Sequence, residues 1–329
     1  MSRTVSQDQQ DHEVCLPAGD GPRFSVVIPA YNREGTIERC IQSALDQSHA
    51  PMEILVVDDG SKDRTAELSA SFGSVVRVIS KANGGAPSAR NHGVREARGE
   101  WIAFLDSDDY WEPDHLRRMA QAIVGTEGRA EFYFSNIHMA ENEGGRPQWE
   151  RARFSIPGEY QMLEDGTEWV VRHRIPMMLQ ASVFHRKRLV DAGCLLENLH
   201  MRDDTHVFLR HGMRGCVCAV NYIGCQQTSD DQSDVRLTTA FSNKTLKYWL
   251  CSVTMWSDLI AGEPRMDSAA RKVLKSRLAV SHMRAARLSA SGGAFGGFLA
   301  HFCKGMAADP ISALRTLAAR VGLAKAPQA

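Results

Sequence analysis

Three aspartates within four positions, Asp106, Asp108 and Asp109, follow directly on the apolar run Trp101-Ile102-Ala103-Phe104-Leu105. Carboxylates crowded against the end of a buried strand are costly unless something positive compensates them. Asp106 and Asp108, one residue apart, have the spacing to hold a hard divalent cation, Mg2+ or Mn2+. Such an ion accepts one or two protein carboxylates and keeps its other positions for water and phosphate oxygens. The competing reading is an acidic turn in which Asp108 or Asp109 caps the following helix. In VVDDGS, Asp58 and Asp59 again end an apolar run. There an acid can bond a ribose hydroxyl or a base N–H, or merely satisfy a tight turn. PAYN ends a third run with Tyr31, an aromatic face suited to stacking a nucleobase or to covering the core edge. Gly84 and Gly85 precede a helical stretch where backbone N–H groups can meet an anion, and a plain turn fits equally well. Arg90, on that stretch, could reach a phosphate or pair with one of the aspartates.

Bringing these residues together requires a particular order of elements. FSVVIPAYN opens with a short β-branched run ending at the breaker Pro29, which predicts a buried strand. Ile37, Ile41 and Leu45, spaced by four, predict a helix after it. MEILVVDDGS, VVRVIS and EWIAFLDSDD read as further strands, with helices over KDRTAELSASF and APSARNHGVREAR between them. Strict alternation with near-continuous apolar strands predicts an α/β fold with a mostly parallel sheet and helices on both faces. Ligands of such sheets bind beyond the carboxyl ends of the strands, where Tyr31, Asp58, Asp59, Asp106 and Asp108 all lie. Beyond about residue 125 the alternation weakens. AEFYFSNIHMA and MMLQASVFHRKRLV read as strands, DDTHVFLRHGM as a helix, and the chain from about Leu237 as helical. Leu274, Leu278 and Ala285 suggest one amphipathic stretch; Leu314, Leu317 and Val321 suggest another.

The chain has 329 residues, enough for a substantial core, and its 39 basic and 39 acidic residues balance, so overall charge points to no polyanionic partner. From Arg271 onward, however, ten Lys/Arg face a single acid, Asp309, a net of about +9. Helices so charged can lie on an anionic membrane surface, or form a cap whose arginines are simply solvated. The eight cysteines show no paired metal-ligand spacing and read as buried free thiols of a reducing compartment. The first 22 residues are polar and read as a disordered lead-in without the apolar segment of a signal peptide, and no apolar run reaches the length of a spanning helix. A cytoplasmic protein is expected, with contact at the inner face of the membrane if the basic tail docks there.

VVIPAYNREGTIERCIQSALDQS, EILVVDDGSKDRT and NGGAPSARNHGVREARGEWIAFLDSDDYWEPDHL together resemble the family 2 glycosyltransferases, nearly without gaps from Ser25 to Met119. The resemblance implies the GT-A fold, a nucleotide-diphosphate sugar donor (a UDP-sugar foremost), a divalent metal, and transfer with inversion to an acceptor hydroxyl. It implies a catalytic domain over 23–235, divided into a nucleotide-sugar half (23–120) and an acceptor half (121–235), and a helical region over 236–329. Carried over residue by residue, Pro29, Tyr31 and Asp58 would line the nucleoside pocket with Arg33 nearby. Asp59 and Arg90 would join the donor site, Asp106 would touch ribose and donor sugar, and Asp108, with Asp106, would hold the metal. A general base is expected in a pattern resembling E-D-x-x-L-x-x-R. Its match runs from Asp203 to Arg210 and makes Asp204 the candidate, with Asp203 as a helix cap. The stretch GCQQTSDDQSD lacks the Arg or His that often contacts the diphosphate, leaving Gln226, Gln227 and Ser233 as donors. A glycan or lipid-linked glycan acceptor of surface polysaccharide or glycolipid synthesis is expected, and no nucleic acid. The alternatives are a sugar nucleotidyltransferase, for which PAYNREGT is a poor phosphate loop, and an inactive nucleotide- or glycan-binding module.

Overall fold

The computed structural model describes residues 21–164, 175–199, 201–228, 245–262 and 266–320. Nearly all of the lead-in, Ser233 and its neighbours, and Val321 lie outside them. The alternation read from the sequence is present: β1 (Phe24–Ala30), α1 (Ile37–Leu45), β2 (Glu53–Asp58), α2 (Thr65–Ala70), β3 (Val76–Ser80), α3 (Ala86–Glu96) and β4 (Trp101–Phe104). The four strands pair in parallel in the order β3-β2-β1-β4. The chain steps outward from β1 to β3, then returns to lay β4 on the other side of β1. Strand order therefore reverses between β1 and β4, which is where open α/β sheets leave a crevice for ligands.

Pro29 does not end its strand as expected. It continues β1, in register with Val57 of β2. Residues of one parity in a parallel strand present both N–H and C=O to the same neighbour. Val27 faces β4, since its carbonyl accepts from Leu105 N, so Pro29 faces that side too. The last β4 pairing is Val27 with Phe104. The N–H that proline lacks would thus point where no strand remains to receive it, which is where a proline is tolerated within a sheet.

Helix α3 carries Arg90 and lies unusually close to the sheet. Gly93 makes this possible: a Cβ there would stand 2.4 Å from Val27 Cγ1 and 3.3 Å from Val57 Cγ2. Both valines are fully buried with nowhere to move. Gly93→Ala should therefore destabilise the protein by roughly 1–3 kcal/mol through overpacking, despite alanine's better helix propensity. Urea unfolding of the variant checks this.

The second half contributes β5 (Tyr110–Trp111), α4 (His115–Gly125), β6 (Phe132–His138), α5 (Gln148–Ala152), β7 (Tyr160–Leu163), β8 (Ser182–His185), α6 (Arg186–Asp191), α7 (Asp203–Gly212) and β9 (Val217–Gln226). The sheet continues β4-β8-β6-β9-β5, with β7 on β9. The parallel character expected from sequence holds in β3-β2-β1-β4 and in β6-β9; β8, β5 and β7 pair antiparallel. Because β8 is antiparallel to both β4 and β6, strand β6 runs the same way as β4, and β9 follows it. The carboxyl ends of β1 to β4, β6 and β9 consequently share one edge. MMLQASVFHRKRLV divides into the short strand β8 and the helix α6, and β9 falls on a stretch to which the sequence assigned no element.

Helices α8 (Leu246–Gly262), α9 (Ser268–Ser291), α10 (Phe295–Ala308) and α11 (Pro310–Arg320) complete the described chain. Met255, Trp256, Leu259 and Leu274 join the core on one face of the sheet. Leu274 and Ala285 are buried as expected, whereas Leu314 and Leu317 face outward. Within α10, only Gly305 is buried. Seven cysteines among the described residues are free thiols, four of them buried. No helix of the described residues is long and apolar enough to cross a membrane.

Candidate active site

The turn after β4 is held by its backbone. Asp106 O accepts from Cys40 Sγ (3.4 Å) and Asp109 N (3.0 Å), Ser107 O from Thr36 Oγ1 (2.9 Å), and Asp108 O from Thr228 Oγ1 (2.6 Å). With its carbonyls engaged, the turn sends its three carboxylates in different directions. Asp109 points inward and is 3% exposed, accepting from Gln180 Nε2 (3.0 Å) and Thr228 N (3.1 Å). Burial, together with the carboxylates of Asp108 and Asp106, pushes its pKa well above the ordinary value in spite of those donors. It is held as a structural residue of the turn. The side chains of Asp106 and Asp108 keep 27% and 22% of their surface open.

Arg90 compensates the outward-facing charge. Its Nη2 lies 2.6 Å from Asp106 Oδ1 and its Nη1 2.8 Å from Asp203 Oδ2, 113 positions along the chain from Arg90, so the guanidinium joins the end of β4 to the start of α7. Of the two roles open to Arg90 in the sequence, carboxylate pairing is the one found. Burial works against its charge, but Asp106 and Asp203 outweigh burial and raise its pKa above the ordinary arginine value. Its Nε is buried without a hydrogen-bond partner among the described residues. Arg33, at the end of β1, brings Nη2 to 3.7 Å from Asp108 Oδ2.

The ends of β1 and β2 are laced together. Asn32 adopts a positive φ of 53°, donates its N–H to Ser61 Oγ (2.9 Å) and accepts from Lys62 N at Oδ1 (2.9 Å). Asparagine tolerates this conformation better than most residues. Beside it Tyr31 is 42% exposed, with its ring available to a ligand. Asp58 Oδ1 accepts from Ser61 N (3.2 Å). Asp59 is placed differently from the donor-binding role expected of it. Buried at 2%, it accepts from Lys81 Nζ (2.6 Å), Gly84 N (3.0 Å) and Gly85 N (2.7 Å). The glycine amides that might have met an anion are thus occupied by Asp59, and the plain-turn reading of Gly84-Gly85 holds. Pro29, within β1, is buried.

Asp203 and Asp204 open α7, whose preceding residue Arg202 has a φ of 65°. Asp203 is 9% exposed and bound to Arg90; burial pushes its pKa up to about 6 against the pull of that guanidinium, and Asp204 adds repulsion. Asp204 is half-buried and accepts from Thr205 Oγ1 (3.2 Å). Both carboxylates bear electrostatically on Arg90, so Asp106, Arg90, Asp203 and Asp204 form one cluster at the shared carboxyl edge. Later in α7, His206 Nε2 (2.8 Å) and Arg210 Nη2 (2.7 Å) converge on Asp258 and tie α7 to α8. Sequence reasoning missed Gln180, Thr228, Arg39 and Lys81, which hold the site without touching its open side. Arg39 Nη2 steadies Thr228 Oγ1 (3.1 Å), a contact across 189 positions that no local pattern announces.

The donor set suits a divalent ion that arrives with a phosphate ligand. Asp106 and Asp108 offer hard oxygens, and among the described residues no group of three His, Cys, Asp or Glu could form an all-protein cage. Mg2+ is commonly bound by one or two carboxylates, with water and substrate phosphates completing the shell.

Known proteins resemble this chain over the same region. The model of glycosyl transferase family 2 matches residues 25–186. The uncharacterized glycosyltransferase EpsJ of Bacillus subtilis (strain 168) is 42% identical over 103 residues, 30% of each chain. The succinoglycan biosynthesis protein ExoO of Rhizobium meliloti (strain 1021) is 41% identical over 135 residues, 36% of this chain and 39% of that protein. The chain thus spans about a third of the length of these curated relatives. The crystal structure of S. aureus TarS 1–349 in complex with UDP-GlcNAc superimposes with a TM-score of 0.64 at 16% identity, covering 86% of this chain and 91% of that one, a likeness of fold. Residues 25–186, with their acidic strand ends, thus form a family 2 glycosyltransferase region.

Proposed function

We propose that the protein transfers a sugar from a nucleotide-diphosphate sugar to an acceptor hydroxyl with inversion at the anomeric carbon, in the synthesis of a surface polysaccharide or glycolipid. The observation that carries this reading is the convergence of Asp106, Arg90, Asp203 and Asp204 at the strand-order reversal, beside the open ring of Tyr31 and the carboxylate of Asp108. A UDP-sugar is the first donor to try, in keeping with the nucleotide in the TarS complex.

In this mechanism Tyr31 stacks on the base, and Asp106, fixed by Arg90, bonds the ribose and donor sugar. A divalent ion held by Asp108 and Asp106 supplies, when bound, positive charge for the leaving diphosphate. Asp204 takes the proton from the acceptor hydroxyl. The oxygen attacks the anomeric carbon on the face opposite the diphosphate, the glycosidic bond forms as the sugar–phosphate bond breaks, and the nucleoside diphosphate departs. One displacement inverts configuration, and no protein nucleophile is needed.

Incubation with a panel of nucleotide sugars and Mn2+, reading nucleoside diphosphate release, tests the proposal. Release with at least one donor is expected, falling by more than 100-fold in Asp108→Ala while the melting temperature holds. An inactive binding module would bind a donor and release nothing. Release of pyrophosphate from a nucleoside triphosphate and a sugar phosphate would instead mark a nucleotidyltransferase.

A second reading concerns location. Helix α10, FGGFLAHFCKGMAA, is apolar around much of its circumference, yet Phe295 is 73% exposed and Leu299 also faces out. On α11, Ile311, Leu314 and Leu317 are exposed as well. An apolar helix surface left to water in a region of strong positive charge suits the interface of an anionic bilayer. Cosedimentation with phosphatidylglycerol vesicles is expected, with loss of binding in Phe295→Asp/Leu299→Asp. Equal binding by the variant would remove this reading.

A further inference from the structure

A cavity of about 450 Å3 is lined by Glu112, Asn136, Asn221, Tyr222, Ile223 and Gln226. Its cause is an irregularity in the sheet. Strand β6 pairs Ser135 with Val220, and its next residue, Asn136, pairs with Ile223. Asn221 and Tyr222 therefore face no β6 residue and bulge from the ladder, the kind of distortion that re-aims side chains beside active sites.

The lining is oriented by bonds that leave part of each polar group free. Asn136 Oδ1 accepts from Ile137 N (2.9 Å) and Trp149 N (3.0 Å), which fixes the amide; its Nδ2 has no acceptor among the described residues. Gln226 Nε2 donates to Glu112 Oε1 (2.8 Å), which leaves Gln226 Oε1 and Glu112 Oε2 as acceptors. Asn221 Nδ2 donates to Gly158 O (3.1 Å), leaving its Oδ1. Tyr222 adds a half-buried ring with the Arg118 guanidinium 5.8 Å from its centroid. Fixed donors and acceptors around one aromatic ring match a ligand whose hydroxyls both give and accept hydrogen bonds and whose C–H faces pack on an aromatic. Ile223 is the sole aliphatic liner, which disfavours an apolar ligand, and the Glu112 carboxylate disfavours an anion.

Chain geometry places the cavity near the chemistry. Glu112 follows Asp108 by four residues, at most about 14 Å of extended chain. Gln226 precedes by two residues Thr228, whose hydroxyl holds the Asp108 carbonyl. We propose that the β9 bulge forms a subsite for a neutral saccharide unit of the acceptor, next to the unit that receives the sugar. This rests on the transferase reading above and adds to it the side from which the acceptor enters and the uncharged character of the unit bound there.

Saturation-transfer NMR on the full chain with cellobiose, lactose and N,N′-diacetylchitobiose, and with glucuronic acid as the anionic probe, tests the proposal. Transfer to at least one neutral disaccharide is expected, reduced threefold or more in Tyr222→Ala and in the surface variant Asn221→Ala, with none to glucuronic acid. No transfer to any neutral disaccharide, or equal transfer in wild type and Asn221→Ala, overturns the subsite. Calorimetry of the nucleotide-sugar panel on the same samples separates the two levels. Donor binding without a saccharide effect removes the subsite alone, whereas absence of all donor binding removes the transferase reading beneath it.

Discussion

Arg90→Met should cost on the order of 3 kcal/mol of stability and abolish measurable sugar transfer. The stability loss follows from what the guanidinium leaves behind. Asp203 is buried and Asp106 three-quarters so, and both now rely on one cation at 2.6–2.8 Å. Removing one partner of a buried charge cluster strands the others, which is far more damaging than the net contribution of the intact cluster would suggest. Activity should fall because Asp106 loses its fixed direction and the start of α7 loses its tie to β4. Arg90→Lys should rescue poorly, since an ammonium is a point charge and cannot fork between two carboxylates. The discriminating experiment is a double-mutant cycle by urea unfolding. Arg90→Met combined with Asp203→Asn removes both ends of one ion pair and should recover more than 1 kcal/mol of the single-variant loss. Purely additive losses would show that the cluster is not energetically coupled.

The same cluster shows what could and could not be read from the sequence. The four parallel strands, and the acidic ends of β2 and β4, were legible because each is announced locally, by an apolar run and the polar residues that stop it. What escaped were contacts between distant segments. Nothing near Arg90 indicates that it meets Asp203, and nothing near Asp59 indicates that Lys81 and the Gly84-Gly85 amides will claim its carboxylate. Strand β9 was hidden because two of its residues bulge, which breaks the period-2 pattern that marks a strand. The outward-facing Leu314 and Leu317 mislead in the opposite sense. Their spacing is that of a buried stripe, but periodicity identifies a face without saying what covers it.

Asp204→Asn should reduce turnover by a factor of 10² to 10⁴, the usual span for loss of a positioned base, with donor affinity little changed. Asp203→Asn should behave differently, and the difference lies in the pH profile. Asp203, pushed up to about 6 by burial, is ionised at pH 7 and takes up a proton as the pH falls through 6. Protonation weakens its pairing with Arg90 and disturbs the Asp106 carboxylate on the other branch of the fork. Wild-type turnover should therefore fall on the acid side with a limb near pH 6. This loss is distinct from acid unfolding as far as Asp203 is concerned. Its folded pKa lies above the ordinary 3.8, so its own contribution to stability increases as pH falls through that window. In Asp203→Asn that limb should disappear and turnover at pH 7 should already lie at the lowered level the wild type reaches below pH 6, because asparagine, like the protonated acid, is neutral and accepts only an uncharged hydrogen bond from Arg90. A limb that persists unchanged in Asp203→Asn would assign the titration to another group. Near-normal turnover in Asp204→Asn, together with a 100-fold loss in Asp203→Asn, would exchange the roles of base and positioning residue between these two adjacent carboxylates.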